Sequence, residues 1–439
     1  MGRFSIITFG CTLNKSDSAK MQYILQSSNY EFVENPKDAE IVIVNTCTVK
    51  TPSENKAIKV IKQLKKEGKL VIVTGCLAQH QPELFKEFPI VGTYQIDKIK
   101  EAIELALMGE KPKFLEKDKI EKIKINSLDV FPIKIIPIQE GCLWKCSYCA
   151  TKFSRSILHS YRPRDIYEVL KNAIVNGFKV IYFTGTDLAA YGFDLGIDLA
   201  DLLHGLREIE GFFLLRVGMA NPGILNKFID RLLKAYEDPR IFKFFHIPVQ
   251  TASNRILEDM KRKYTIEEFY ELVQKIRNKY PEASIATDII VGYPTETEED
   301  FKLTLQMIEE IKFDVINISR FWPRPGTEAY NLKPLKGEIV KERSRKVTDI
   351  FNKTAKERNK IWLNWEGWCI IESKGTKENT WIGRNYAYKQ VVVKSNQNLL
   401  GKFVKVKIKE ITAVDLRGII QGVKDNIDVE EWISNRLYG

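Results

Sequence analysis

The chain has 439 residues, 44% apolar and 28% charged, the make-up of a globular protein with two or three domains and no apolar run long enough for a membrane span. Its start, Met1-Gly2-Arg3-Phe4, leads straight into a strand-like pattern, so no secretory leader is expected. Lysine plus arginine number 68 against 57 acids, +11 overall, which suits a polyanionic partner such as RNA. The seven cysteines point to metal ligands in a reducing, cytoplasmic setting rather than to disulfides.

In chain order, Phe4–Phe9, Glu40–Val44 and Leu70–Val73 read as short buried strands, separated by helical patterns over Ser16–Ser28 and Ser53–Glu67. Such alternation implies a parallel sheet, and in an open parallel sheet ligands bind at the carboxyl edge. Each strand runs into a cysteine: Phe9-Gly10-Cys11, Asn45-Thr46-Cys47 and Thr74-Gly75-Cys76. Three thiols far apart in sequence are thus expected to converge, as a metal site or as three buried structural cysteines. Met108 to about Lys134 is charged and carries Gly109, Pro112 and Pro132, so residues 111–133 are expected to link a domain of residues 1–110 to the next.

Ile135–Ile138 is a strand candidate, and the loop after it holds Cys142-x3-Cys146-x2-Cys149. Three thiolates on a short loop can hold three irons of a 4Fe–4S cluster and leave the fourth open. A zinc site with His159 as fourth ligand is the alternative. Further strands are expected at Val180–Phe183, Phe213–Val217, Phe242–Ile247, Ser284–Val291 and Val315–Phe321, with helices over Pro163–Asn176, Ser253–Lys261, Ile266–Lys279 and Glu296–Lys312. Six βα units over 134–335 make a partial (β/α)6 TIM-like barrel, whose chemistry belongs at the carboxyl ends of its strands. His246, in an apolar strand, reads as an interior histidine. Lys152, Arg155 and Arg162 follow the cysteine loop and are candidate RNA phosphate contacts. Residues 336–362 read as a basic helix with Arg343, Arg345, Lys356 and Arg358 turned to a partner. Residues 363–439 contain an all-β segment, with apolar and polar residues alternating around Lys405. There Trp381, Arg384, Tyr386, Tyr388 and Lys389 mix aromatics and cations, as in single-stranded RNA platforms, and Trp381, Arg384 and Lys405 are candidate RNA contacts. Cys369 has no partner motif and reads as a core thiol.

The Cys142 loop, with Tyr148 before the last cysteine, resembles the cluster loop of radical S-adenosylmethionine enzymes. The boxes Thr8-Phe9-Gly10-Cys11-Thr12-Leu13-Asn14, Val44-Asn45-Thr46-Cys47-Thr48-Val49-Lys50 and Thr74-Gly75-Cys76-Leu77-Ala78 resemble those of the methylthiotransferase branch. Phe183-Thr184-Gly185-Thr186-Asp187, His246-Ile247-Pro248-Val249-Gln250 and Asp288-Ile289-Ile290-Val291-Gly292 look like its barrel motifs, and the all-β segment resembles the TRAM barrel. The resemblance implies two 4Fe–4S clusters, on Cys142, Cys146 and Cys149 and on Cys11, Cys47 and Cys76, with Asn14 and Asn45 near the second. It implies S-adenosylmethionine lined by Tyr148, Thr184, Gly185, Thr186, Gln250, Ile290 and Gly292, the two glycines admitting the ligand closely. It also implies a tRNA anticodon stem-loop as partner, with a low-potential electron donor and a sulfur donor. The Gly10-Cys11-Thr12-Leu13-Asn14 box and Thr186–Gly192 look most like the branch that adds a methylthio group to C2 of N6-threonylcarbamoyladenosine. Isopentenyl-adenosine in tRNA and a ribosomal protein side chain are the alternative substrates. A non-enzymatic zinc-dependent RNA-binding protein is the alternative of another class.

Overall fold

The computed structural model describes residues 2–49, 51–118, 120–434 and 436–437, so Lys50, the end of the second cysteine box, lies outside the described residues. The N-terminal sheet contains β1 (Arg3–Thr8), β2 (Glu31–Phe32), β3 (Ile41–Thr46), β4 (Leu70–Gly75), β5 (Ile90–Val91) and β6 (Lys113–Phe114). Their order is β2-β1-β3-β4-β5-β6, and every pair is parallel. β3 is buried on both faces, as a central strand between two helical layers must be. Ile41 and Ile43 pack with helices Thr12–Gln26 and Ile99–Leu107, while Val42 and Val44 pack with helix Thr51–Lys66. β2, β5 and β6 have two residues each, too few to show alternation. β6 lies in the segment expected to be a linker. That segment instead completes the sheet and buries Lys122 between Asp17 and Glu140.

The central domain begins with β7 (Ile133–Pro137) and a small antiparallel pair, β8 (Gln139–Glu140) with β9 (His159–Ser160). β10 (Val180–Thr184), β11 (Leu214–Val217), β12 (Phe244–His246), β13 (Ser284–Val291) and β14 (Val315–Arg320) follow. Two three-stranded parallel sheets, β11-β10-β7 and β12-β13-β14, are joined by a parallel bridge from Leu215 to Ile241. The result is a six-stranded open barrel with β7 and β14 as edges. Side chains alternate along each strand. Ile181, Phe183, Leu215 and Ile285 meet the surrounding helices, whereas Val180, Leu214, Phe244 and Ala286 belong to a second core shared with the C-terminal domain.

That domain is a closed barrel, β15 (Glu366–Lys374), β16 (Thr380–Arg384), β17 (Gln390–Lys394), β18 (Phe403–Ile411) and β19 (Leu416–Lys424), in the order β15-β16-β17-β19-β18. It docks where the central strands begin. The Tyr388 and Tyr182 hydroxyls meet at 2.5 Å, Lys389 Nζ lies 2.6 Å from Asp314 Oδ1, and the Lys243 amide donates to Tyr386 O at 2.8 Å. The aromatic-cation set expected to carry RNA is therefore largely an internal interface. Trp381 is buried and donates from Nε1 to Ser395 O at 3.1 Å. Arg384 is half-buried, donates to Glu372 Oε2 at 3.2 Å and covers the Tyr388 ring. The reason is that aromatic rings and planar guanidinium groups stack on each other as readily as on bases.

Helix Gly337–Asn359 lies against the barrel through Val340, Val347, Phe351 and Ala355. Of its four expected partner contacts, Arg345 and Lys356 are exposed. Arg343 is buried with Glu296 Oε2 at 2.5 Å, and Arg358 donates to Pro281 O. Cys369 is fully buried in the second core. A last helix, Val429–Ile433, is capped by Asp428 and sets Trp432 against Phe212, Phe242 and Phe403.

Candidate active site

The carboxyl ends of β1, β3 and β4 bring Cys11, Cys47 and Cys76 to one edge. Gly10 has φ +104°, and a Cβ there would lie 3.0 Å from Cys47 Sγ, so only glycine admits this approach of the first two boxes. Asn14 ties all three boxes together. Its Nδ2 donates to Phe9 O and Thr46 O, both at 2.9 Å, and its Oδ1 accepts from Cys76 Sγ at 3.6 Å. Asn45 donates back to Asn14 O at 2.9 Å. Burial pushes the Cys47 thiol up to about 12, with Cys76 adding to the rise. Burial also raises Cys76, against the opposing field of Arg155. These thiols stay protonated at neutral pH unless a metal displaces the protons.

The second trio follows β8. Gln139 braces its loop: Nε2 donates to Gly141 O at 2.5 Å, and Oε1 accepts from the amides of Thr186 and Asp187 at 3.0 and 3.2 Å. Cys142 Sγ receives the Trp144 amide at 3.4 Å and donates to Asp187 Oδ2 at 3.8 Å. Arg262 donates from Nη1 to Cys146 Sγ at 3.5 Å and from Nη2 to Pro248 O at 3.1 Å. Burial raises Cys142 and Cys149, and it lifts the Asp187 carboxyl to about 6. Three thiols with N–H donors and a guanidinium beside them suit an anionic sulfur-rich group. His159, the alternative zinc ligand, instead lies 3.2 Å from Glu121 and edge-on to Tyr161. Among the described residues, no three His, Cys, Asp or Glu side chains are grouped to hold a single metal ion. A cluster distributes its thiolates over separate irons and makes no such demand.

The two trios are neighbours. Helix Cys76–His80 meets helix Thr151–Ser154, with the His80 and Phe153 rings stacked at 4.8 Å and Thr93 Oγ1 bonded to Ser154 O at 2.5 Å. Arg155 lies between them, 2% exposed. It pairs with Asp17 and with Glu140 Oε2 at 2.6 Å, and it donates to Asn14 Oδ1 at 3.3 Å. Lys122 adds a contact of 2.7 Å to Glu140 Oε1. Burial alone would raise the Glu140 carboxyl, but Lys122 and Arg155 outweigh it and hold it low. A buried polar chain thus runs from Cys76 through Asn14 and Arg155 to Glu140, two residues before Cys142.

The residues expected around S-adenosylmethionine fall into two groups at the strand ends. Thr184, Gly185 and Thr186 lie beside Gln139, and Thr186 Oγ1 accepts from the Gly141 amide at 3.2 Å. Tyr148 and Ile290 pack on one apolar cluster with Met260 and Tyr293. Gln250, at φ +74°, exchanges backbone bonds with Asp288 and Ile290 at 2.8 and 2.9 Å. At the two glycines expected to admit the ligand closely, the side-chain position itself is filled. A Cβ on Gly292 would lie 2.6 Å from Val340 Cγ2, and one on Gly185 2.6 Å from Gln139 Oε1, so protein atoms occupy the space.

Among the candidate RNA contacts, Arg162 is exposed and Lys152 and Lys405 are half-buried. Arg155 and Trp381 are inside the protein and are withdrawn as RNA contacts; burial of a cation between two acids, and of an indole in a core, leaves neither a free face. Gln139 carries no expectation from the sequence, and Arg262 is expected only as the end of the Met260-Lys261-Arg262 stretch that resembles the family's fourth-strand motif, with no partner assigned. Gln139 stands in a strand-like run without a motif of its own, and Arg262 lies 116 residues from the thiol it reaches.

Residues 3–94 match the uncharacterized protein family UPF0004, residues 136–308 the radical SAM superfamily and residues 370–420 the TRAM domain. A solved radical S-adenosylmethionine methyltransferase, TsrM from Kitasatospora setae, aligns with a TM-score of 0.55 at 12% identity over 75% of each chain, a likeness of fold. Fold and cysteine loop together define a radical S-adenosylmethionine enzyme, a class that uses S-adenosylmethionine and a 4Fe–4S cluster. A Pyrococcus horikoshii protein named "Probable threonylcarbamoyladenosine tRNA methylthiotransferase" is 40% identical over 96% of this chain and 100% of its own. Threonylcarbamoyladenosine tRNA methylthiotransferases of Xenopus laevis and Homo sapiens are each 35% identical, over 96% and 92% of this chain and 77% and 72% of theirs. The chain belongs to the radical S-adenosylmethionine methylthiotransferase family.

Proposed function

We propose that this protein adds a methylthio group to C2 of N6-threonylcarbamoyladenosine beside the tRNA anticodon. The observation that supports it most is the buried chain Cys76–Asn14–Arg155–Glu140, which sets two cysteine trios side by side. Cys142, Cys146 and Cys149 would hold one 4Fe–4S cluster, and Cys11, Cys47 and Cys76 a second. Held there, the first would supply the electron for reductive cleavage of S-adenosylmethionine, the radical chemistry that an inert ring C–H calls for.

The chain's own part is binding and orientation. Arg262 and the Trp144 amide offset negative charge at the Cys142 loop. Thr186 and Gln139 fix the turn beside it, and Tyr148 and Ile290 offer an apolar wall for an adenine ring. Exposed Arg162, with Lys152 and Lys405, faces the tRNA phosphates. A low-potential electron donor and a sulfur donor complete the reaction, and a cytoplasmic setting fits them.

The test is anaerobic incubation of the reconstituted protein with S-adenosylmethionine, reductant and tRNA carrying N6-threonylcarbamoyladenosine, followed by nucleoside mass spectrometry. A 2-methylthio derivative of that nucleoside is expected. Product on isopentenyl-adenosine tRNA alone, or on a ribosomal protein alone, contradicts the assignment.

A further inference from the structure

We infer that Arg216 binds the carboxylate of the substrate's threonylcarbamoyl group, an inference that rests on the function proposed above. The register of β10 and β11 pairs Arg216 with Tyr182, whose hydroxyl meets Tyr388 of the domain plugged into the barrel. Arg216 therefore points into the barrel and forms its floor. Its guanidinium carbon lies 5.2, 5.1 and 5.6 Å from the ring centroids of Tyr182, Phe244 and Tyr388.

Aromatic faces hold a cation but offer no strong acceptor for its N–H groups. The other inward arginines all have oxygen or sulfur acceptors: Arg155 has Glu140, Arg262 has Cys146, Arg324 has Glu54 and Arg343 has Glu296. For Arg216 no hydrogen bond or ion pair is found among the described residues, and it is half-buried. The buried Glu372 carboxylate below attracts Arg216 through space, but the hydrogen bonds it accepts come from Tyr182 and Arg384, each at 3.2 Å. Above, toward the carboxyl ends, His246 Nε2 and Asp288 Oδ2 are 2.9 Å apart, and the negative Asp288 disfavours a second carboxylate there.

A half-buried guanidinium with free donors matches a carboxylate, which it can grip with two parallel bonds. N6-threonylcarbamoyladenosine carries a carboxylate, and an isopentenyl group carries no charge. Arg216 is thus a specificity determinant that separates the two adenosines.

The test uses reconstituted wild type, Arg216→Met and Arg216→Lys with two anticodon stem-loops. One carries N6-threonylcarbamoyladenosine and the other the same nucleoside with its carboxylate converted to a neutral carboxamide. Wild type is expected to prefer the carboxylate RNA roughly ten- to a hundredfold in kcat/KM, the range of a charge-assisted hydrogen bond, with RNA affinity by fluorescence anisotropy in the same order. Arg216→Met loses the preference and Arg216→Lys keeps part of it, while iron content and RNA-independent S-adenosylmethionine cleavage stay at wild-type levels. Equal wild-type use of both RNAs overturns the inference alone, even if neither variant folds. So does a methionine variant that keeps the preference. No methylthio product from either RNA overturns the proposed function and this inference with it.

Discussion

Arg155 donates from Nη1 to Glu140 Oε2 at 2.6 Å, and its Nη2 pairs with Asp17 of the N-terminal sheet. One guanidinium therefore fastens the two cysteine-bearing domains together. Removing one partner of a buried ion pair costs about 3–5 kcal/mol, because the other charges stay buried without it. Arg155→Met should lose about that much in anaerobic urea unfolding. A loss below about 1 kcal/mol would mean that the pair is not buried in solution.

Asn14 saturates Phe9 O and Thr46 O and receives Cys76 Sγ. Leucine has similar bulk but no donor, so two buried carbonyls lose a partner at about 1–3 kcal/mol each. Asn14→Leu should therefore unfold at lower urea and retain less iron after desalting than wild type. Unchanged iron retention would separate Asn14 from the thiol site.

Gly292 has φ +77°, and its Cβ position lies against Val340. Gly292→Ala carries both a backbone strain and a clash, about 1–3 kcal/mol together. Shortening the neighbour in Gly292→Ala/Val340→Ala should recover the steric part only, so the double variant is more stable than the sum of the single losses. Strict additivity in urea unfolding would contradict the packing described.

Lys20 is buried, and desolvation lowers its ammonium to about 8 despite the attraction of Asp17, while its Nζ donates to Ile125 O at 2.9 Å. Below pH 8 both folded and unfolded chains carry the proton, and the fold bears the full cost. Between about 8 and the ordinary lysine value of 10.5 the unfolded chain binds more protons, so stability rises with pH. Relative to Lys20→Met, wild type should gain up to about 3 kcal/mol across that window. A flat difference would place the ammonium in water.

The strands bearing cysteines were readable because β-rich runs of at least four apolar residues stop at Gly-Cys or Thr-Cys, as in β3 and β4. Two-residue β5 and β6 have no periodicity to read. Motif spacing located the cysteines but not what surrounds them, since the contacts of Arg155 span 138 residues to Asp17 and 15 to Glu140. The same pattern of cations and aromatics describes an RNA platform and an internal plug. Tyr388, with Arg384 over its ring, became the plug because the central barrel leaves its floor open beneath Tyr182 and Phe244, whereas Trp381 went into the small barrel's own core.

The proposed function requires that each cysteine trio hold its own iron–sulfur cluster. Its most direct measurement is the iron and sulfide content of anaerobically reconstituted protein, with Cys11→Ala/Cys47→Ala/Cys76→Ala and Cys142→Ala/Cys146→Ala/Cys149→Ala alongside. About eight irons per wild-type chain and about four in each triple variant are expected. About four irons in wild type, unchanged when Cys11, Cys47 and Cys76 are replaced, or zinc in place of iron, would contradict it.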